Sequence, residues 1–118
     1  VAREVDGSLK TNQPLRVVMG MRDVAPKEFL HLATRDPGVA LADLAKRGVN
    51  HLLLEGGPTL AAAFVESGWI NEVISITAPV TLGAGPRALA TNSPLLGRVK
   101  ITSTFALGDD LIQIGELG

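Results

Sequence analysis

The strongest chemical signal in the sequence is the run Glu55-Gly56-Gly57-Pro58-Thr59-Leu60. It follows the apolar residues Leu52, Leu53 and Leu54 and precedes a helix-forming stretch. It therefore reads as a carboxylate at a strand end, a two-glycine turn, and the first turn of a helix. Two adjacent glycines let the backbone approach a bulky anion with no Cβ in the way. The free N–H groups of a first helical turn, at the positive end of the dipole, favour phosphate, and Thr59 adds a hydroxyl. Ligands of parallel α/β sheets collect beyond the carboxyl ends of the strands, where this turn falls. A structural reading stands beside the chemical one: Gly-Gly-Pro is also a common tight connection, with Glu55 accepting bonds from the helix N–H groups. The run is not a P-loop, which requires a following Gly-Lys-Ser/Thr, nor the GxGxxG dinucleotide turn.

Other residues offer weaker chemistry. His31 falls in an apparent strand and His51 opens another, and the sequence pairs neither with a carboxylate or further ligands, so both read as surface or satisfied histidines. Asp109-Asp110 suggests an acid pair, but a turn after Gly108 accounts for it. Trp69, beside Gly68, is suited to stacking a base, to capping a helix end, or to a subunit contact.

The elements that must position these groups follow from composition and pattern. The chain has 118 residues, 46% hydrophobic and 19% charged, with a net charge of −1. It can fill a core as one domain or part of one, and it lacks the basic footprint of a nucleic-acid binder. It has no cysteine, which excludes a disulfide framework, a cysteine-ligated metal or a thiol nucleophile within these residues and fits a cytoplasmic setting. No apolar stretch approaches the roughly 18 residues of a membrane span, and the first residues do not form a signal peptide. The chain opens on Val1 rather than Met, as a segment of a longer protein would.

A turn is expected at Val5-Asp6-Gly7-Ser8, and strands at 15–19 and 28–32. Asp36 as N-cap and Pro37 at the first helical position begin a helix that ends at Gly48. A strand is predicted over 49–54 and a second helix over about 58–67, with Leu60 and Phe64 on one face and Gly68 at its end. Residues 72–78 read as a strand, and 81–97 as a long excursion punctuated by Gly83, Gly85, Pro86 and Pro94. Over 98–107, Val99, Ile101, Ser103, Phe105 and Leu107 alternate on one side, and a turn at 108–110 leads into a hairpin partner at 111–114. Early crossover helices argue for parallel pairing and the final strands for antiparallel pairing, together a mixed sheet flanked by helices.

Three segments together resemble the C-terminal reductase domain of the bifunctional riboflavin-biosynthesis deaminase/reductase. They are Asn50-His51-Leu52-Leu53-Leu54-Glu55-Gly56-Gly57-Pro58-Thr59-Leu60-Ala61-Ala62-Ala63-Phe64, Gly68-Trp69-Ile70-Asn71-Glu72-Val73, and Ala78-Pro79-Val80-Thr81-Leu82-Gly83-Ala84-Gly85. Pro14-Leu15-Arg16-Val17-Val18-Met19 is similar to a strand of the same family. The resemblance implies an α/β, dihydrofolate-reductase-like fold, a three-layer α-β-α arrangement, with residues 1–118 forming the C-terminal part of one reductase domain. The deaminase domain and the reductase's N-terminal strands would lie outside the chain, which alone is then expected not to catalyse.

The resemblance further implies NADPH as cofactor. The activity it implies is reduction of 5-amino-6-(5-phosphoribosylamino)uracil to the ribitylamino product, with hydride going to the carbonyl of the ring-opened ribose. By position, Glu55 contacts the substrate, Gly57, Pro58, Thr59, Leu60, Ala61, Ala62 and Ala63 contact the cofactor, and Gly56 shapes the turn. Arg3 matches an arginine that holds the substrate phosphate, with a plain surface arginine as the other reading. The Gly83-Ala84-Gly85-Pro86 loop is similar to a family feature near the substrate. The expected partners are a small phosphoribosylated pyrimidine and a second copy in a homodimer, with no nucleic acid, membrane or metal. Alternatives are a non-catalytic nucleotide-binding or dimerisation domain, or a reductase of the same fold with another substrate. Two departures stand out: Gly20-Met21 replaces a polar residue that touches the cofactor, and the stretch between Met21 and Phe29 is short against the family.

Overall fold

Asp36 starts the first helix as its chemistry dictates. Its Oδ1 accepts from the N–H groups of Gly38 at 2.7 Å and Val39 at 3.2 Å, and Pro37 occupies the first position, where a missing N–H is harmless. The helix, α1, runs Pro37–Lys46. The structure, a computed structural model, describes residues 1–85 and 97–117. These fall into two compact units, Val1–Val49 and Asn50–Gly118.

The first unit opens with a small hairpin. Arg3 bridges Leu9, and Gln13 staples the ends by bonding Ala2 through both its amide oxygen and its amide nitrogen. Its turn lies at the expected place: Ser8 donates its hydroxyl and its N–H to Asp6, and these bonds, the hydroxyl first, hold the Asp6 carboxyl below its ordinary range. Strands β1, Val17–Met19, and β2, Leu30–Leu32, pair in parallel with Val17 opposite Leu30 and Met19 opposite Leu32. Both are shorter than expected, and a non-helical loop over residues 20–29 connects them. Leu32, Ala40 and Leu44 form the core, with Val17, Met19, Leu30 and Val49 packed against it.

The predicted strand at 49–54 does not form. Val49 packs into the core of the first unit, and residues 50–57 carry no regular structure, with Leu52 and Leu53 exposed. Apolar composition favours a strand only where a neighbour supplies ladder bonds, and among the described residues none does.

In the second unit, α2 runs Pro58–Ser67 and ends at Gly68, whose φ of +75° supplies the left-handed cap. Phe64 and Val65 are its buried residues. Strands β3, Glu72–Thr77, β4, Val99–Leu107, and β5, Asp110–Leu117, form an antiparallel sheet in the order β3-β5-β4. Gly108 and Asp109 make the two-residue turn between β4 and β5, with Leu107 opposite Asp110. Gly108 at φ +61° takes the positive-φ position that a hairpin turn demands. Parallel and antiparallel pairing are both present, as expected, in two separate sheets. Of the expected excursion, Pro86 and Pro94 lie outside the described residues.

The expected single-sided alternation of β4 is interrupted. The register shifts between Ile101, opposite Gly115, and Ser103, opposite Ile114. A one-residue bulge at Thr102 therefore reverses the face: Ser103 and Phe105 share a face with Ile112 and Ile114, while Val99 and Ile101 lie on the other, over Gly115. Among the described residues no helix is long and apolar enough to cross a membrane.

Candidate functional site

The two helix N-termini differ in how their N–H groups are satisfied. That of α1 is closed by its own Asp36 carboxylate. That of α2 begins at Gly57, φ −73° and ψ 174°, with no side-chain cap. Pro58 has no N–H to offer, and the Ala61 N–H is already bonded to the Gly57 carbonyl at 3.1 Å. The N–H groups of Thr59 and Leu60 find no acceptor among the described residues, nor do those of Gly56 and Gly57. Residues 55–59 are all exposed. Helix termini left this way, with the positive end of the dipole outward, are suited to an anion.

The two glycines of the turn do different things. A Cβ on Gly56 would stand 2.8 Å from Leu60 Cδ2, so this glycine makes room for the chain's own helix. A Cβ on Gly57 would meet nothing within 4 Å, and its φ is one any residue adopts. Nothing among the described residues requires glycine at Gly57. What the missing Cβ leaves is open space over the unsatisfied N–H groups.

Glu55 does not cap the helix. Its exposed carboxylate has no hydrogen-bond or ion-pair partner among the described residues, so the structural reading of this residue finds no support. Leu60, Ala61, Ala62 and Ala63 are half-buried. Within this group Leu60 keeps a free N–H, whereas the alanines lie inside the helix and present only methyl groups.

Arg3 belongs to the first unit. It is exposed, and its Nη1 donates to the Gly7 carbonyl at 2.8 Å, which ties it to its own hairpin and leaves other N–H donors of the guanidinium. In the Leu82-Gly83-Ala84-Gly85 stretch, Leu82 is almost fully exposed and Gly83 has φ +75°. Trp69 is exposed beyond the end of α2.

One contact was invisible in the sequence. His31, read there as unpaired, lies 3.7 Å from the Asp23 carboxylate through Nδ1, and its Nε2 is 2.7 Å from the Gly20 carbonyl. Eight and eleven residues separate these partners across a loop, a spacing that carries no periodic signal. Gly20 itself has φ +152°, a conformation that disfavours any side chain. Gly20 therefore presents bare backbone after β1.

The RibD C-terminal domain family profile matches residues 1–113. The chain belongs to this family. The riboflavin biosynthesis protein RibD of Mycobacterium tuberculosis is 44% identical over 123 residues, covering 94% of this chain and 36% of that protein. RibD of Corynebacterium ammoniagenes is 36% identical over 114 residues, covering 88% of this chain and 33% of that one. The chain thus spans about a third of the length of these curated relatives. Among solved structures, Acinetobacter baumannii RibD superposes with a TM-score of 0.75 at 23% identity, covering 98% of this chain and 40% of that one. A Thermotoga maritima diaminohydroxyphosphoribosylaminopyrimidine deaminase/5-amino-6-(5-phosphoribosylamino)uracil reductase superposes with a TM-score of 0.68 at 12% identity, covering 97% of this chain and 32% of that one. These likenesses establish the α/β fold of a RibD reductase domain, and the family membership covers the span that holds Arg3, Glu55 and the Gly56-Gly57 turn.

Proposed function

We propose that this chain is the C-terminal part of an NADPH-dependent 5-amino-6-(5-phosphoribosylamino)uracil reductase of riboflavin biosynthesis, acting in the cytoplasm. The observation that carries this reading is the α2 N-terminus, uncapped and open above Gly57. The residues there fit a dinucleotide phosphate. The N–H groups of Gly56, Gly57, Thr59 and Leu60 and the Thr59 hydroxyl serve as donors, Pro58 sets the direction of the first turn, and Ala61, Ala62 and Ala63 offer a small-residue surface. When bound, NADPH supplies the hydride.

The protein's own part is placement and charge balance. Glu55, immediately before the glycines and without a partner among the described residues, accepts from the sugar hydroxyls of the substrate. Arg3 meets its phosphate through the guanidinium donors that Gly7 leaves free. The assembly is a homodimer formed through the exposed edge strands β3 and β4, where Ile74, Ile76, Phe105 and Leu107 lie in solvent.

The test is turnover by the full-length protein with NADPH and the phosphoribosylamino pyrimidine, followed by loss of reduced-nicotinamide absorbance. Nucleotide binding without turnover would instead favour a non-catalytic domain. Turnover confined to another carbonyl substrate would favour a reductase of different specificity.

A further inference from the structure

Arg3 stands on a hairpin that has almost no core to hold it. Leu9 is its bridge partner. The Glu4 N–H donates to the Ser8 carbonyl at 2.8 Å and the Lys10 N–H to the Ala2 carbonyl at 3.0 Å, one bond on each side of that bridge. Residues 3–13 are all exposed, so little apolar burial fixes the segment. Gln13 closes its open end. The Gln13 Oε1 accepts from the Ala2 N–H at 2.9 Å, and Nε2 donates to the Ala2 carbonyl at 2.9 Å and to the Lys10 carbonyl at 2.7 Å. The side-chain amide thus stands in for one more backbone rung, with its donors and its acceptor engaged. Ordering a long exposed side chain in this way opposes its entropy. What the order fixes is the residue immediately before Arg3.

The Arg3 side chain is held as well. At the turn end of the hairpin the Gly7 carbonyl accepts from Nη1 at 2.8 Å, which leaves further guanidinium donors open. Among the described residues no carboxylate pairs with Arg3, so its charge is left for a ligand. A plain surface arginine needs neither hold. A guanidinium that is already oriented loses less freedom when a phosphate settles on it. We propose that Gln13 is a positioning residue for substrate binding: by closing the hairpin at Ala2 it aims Arg3 at the substrate's phosphate. This rests on the reductase reading above, in which Arg3 meets that phosphate.

The test is a double-mutant cycle in the full-length protein, read by steady-state kinetics with the phosphoribosylamino pyrimidine and NADPH. Gln13→Ala is expected to raise the KM for the pyrimidine about fivefold, with kcat and the KM for NADPH little changed, because the ordering cost falls on binding that one substrate. Arg3→Ala is expected to raise the same KM about tenfold or more. Adding Gln13→Ala to Arg3→Ala is then expected to change KM by less than about twofold, since the group being aimed is gone. A glutamine that only steadies the fold would lower Tm and leave KM unchanged, or raise KM equally with and without Arg3, and either result overturns the proposal. Should Gln13→Ala fail to fold, Gln13→Glu, which keeps an acceptor for the Ala2 N–H and loses the two donors, is expected to raise the pyrimidine KM to a smaller degree; an unchanged KM there overturns it too. An Arg3→Ala variant with unaltered KM, or an unsubstituted protein without turnover, overturns the substrate reading and this one together. A raised KM in Arg3→Ala beside an unaltered one in Gln13→Ala overturns this one alone.

Discussion

A Cβ added to Gly56 would stand 2.8 Å from Cδ2 of Leu60, whereas one added to the next residue, Gly57, would meet nothing within 4 Å. The two glycines therefore separate fold from ligand. Gly56→Ala forces the Leu60 side chain aside and is expected to cost about 1 kcal/mol, the low end of overpacking, because the obstructing atom ends a flexible side chain. Gly57→Ala exchanges a poorer N-cap residue for a less flexible unfolded chain, and the two effects nearly cancel, leaving stability within about 0.5 kcal/mol. Gly57→Val is expected to weaken NADPH binding about tenfold or more by filling the space over the helix N-terminus. Thermal unfolding and fluorescence titration with NADPH, run on all three variants, check the separation. Unchanged NADPH affinity in Gly57→Val would remove the turn from the site.

Glu55 keeps its carboxylate in solvent with no partner among the described residues. Glu55→Gln is therefore expected to leave Tm unchanged and NADPH affinity mostly intact, while turnover falls by about tenfold or more through loss of a charged acceptor for the substrate's hydroxyls. Steady-state kinetics alongside nucleotide titration measure the two effects apart. Equal loss of cofactor binding would contradict a substrate-side role.

Gly115 is the tight point of the β-sheet. A Cβ there collides with the Val99 Cγ1 methyl and comes within 3.1 Å of the Lys100 carbonyl oxygen. Backbone cannot give way as a side chain can, so Gly115→Ala is expected to destabilise by about 1–3 kcal/mol. The loss is read as a lowered denaturant midpoint. If the bulge at Thr102 is what brings Val99 over Gly115, the double variant Gly115→Ala with Val99→Ala should regain much of the loss.

The local grammar of this chain was legible in its sequence. Asp36-Pro37 and Gly68 mark helix ends, Gly108-Asp109 marks a hairpin turn, and Glu55-Gly56-Gly57-Pro58-Thr59 marks a helix N-terminus. Each is decided by the conformations and donors of a few adjacent residues. The family resemblance, too, needed only residues in order along the chain. What adjacent residues cannot decide is which group lies opposite which. A strand over 49–54 was expected from apolar composition alone, yet a strand exists only where a neighbour completes its ladder. The uniform face expected of β4 was reversed by a bulge that only pairing with β5 reveals. His31 looked unpartnered until the loop over 20–29 brought Gly20 and Asp23 to its ring. Whether Glu55 caps its own helix or faces outward was likewise undecided by type and spacing, because both readings use the same residues. The tertiary structure resolved it: among the described residues that carboxylate has no partner and the Thr59 and Leu60 N–H groups of α2 stay open, where Asp36 closes those of α1.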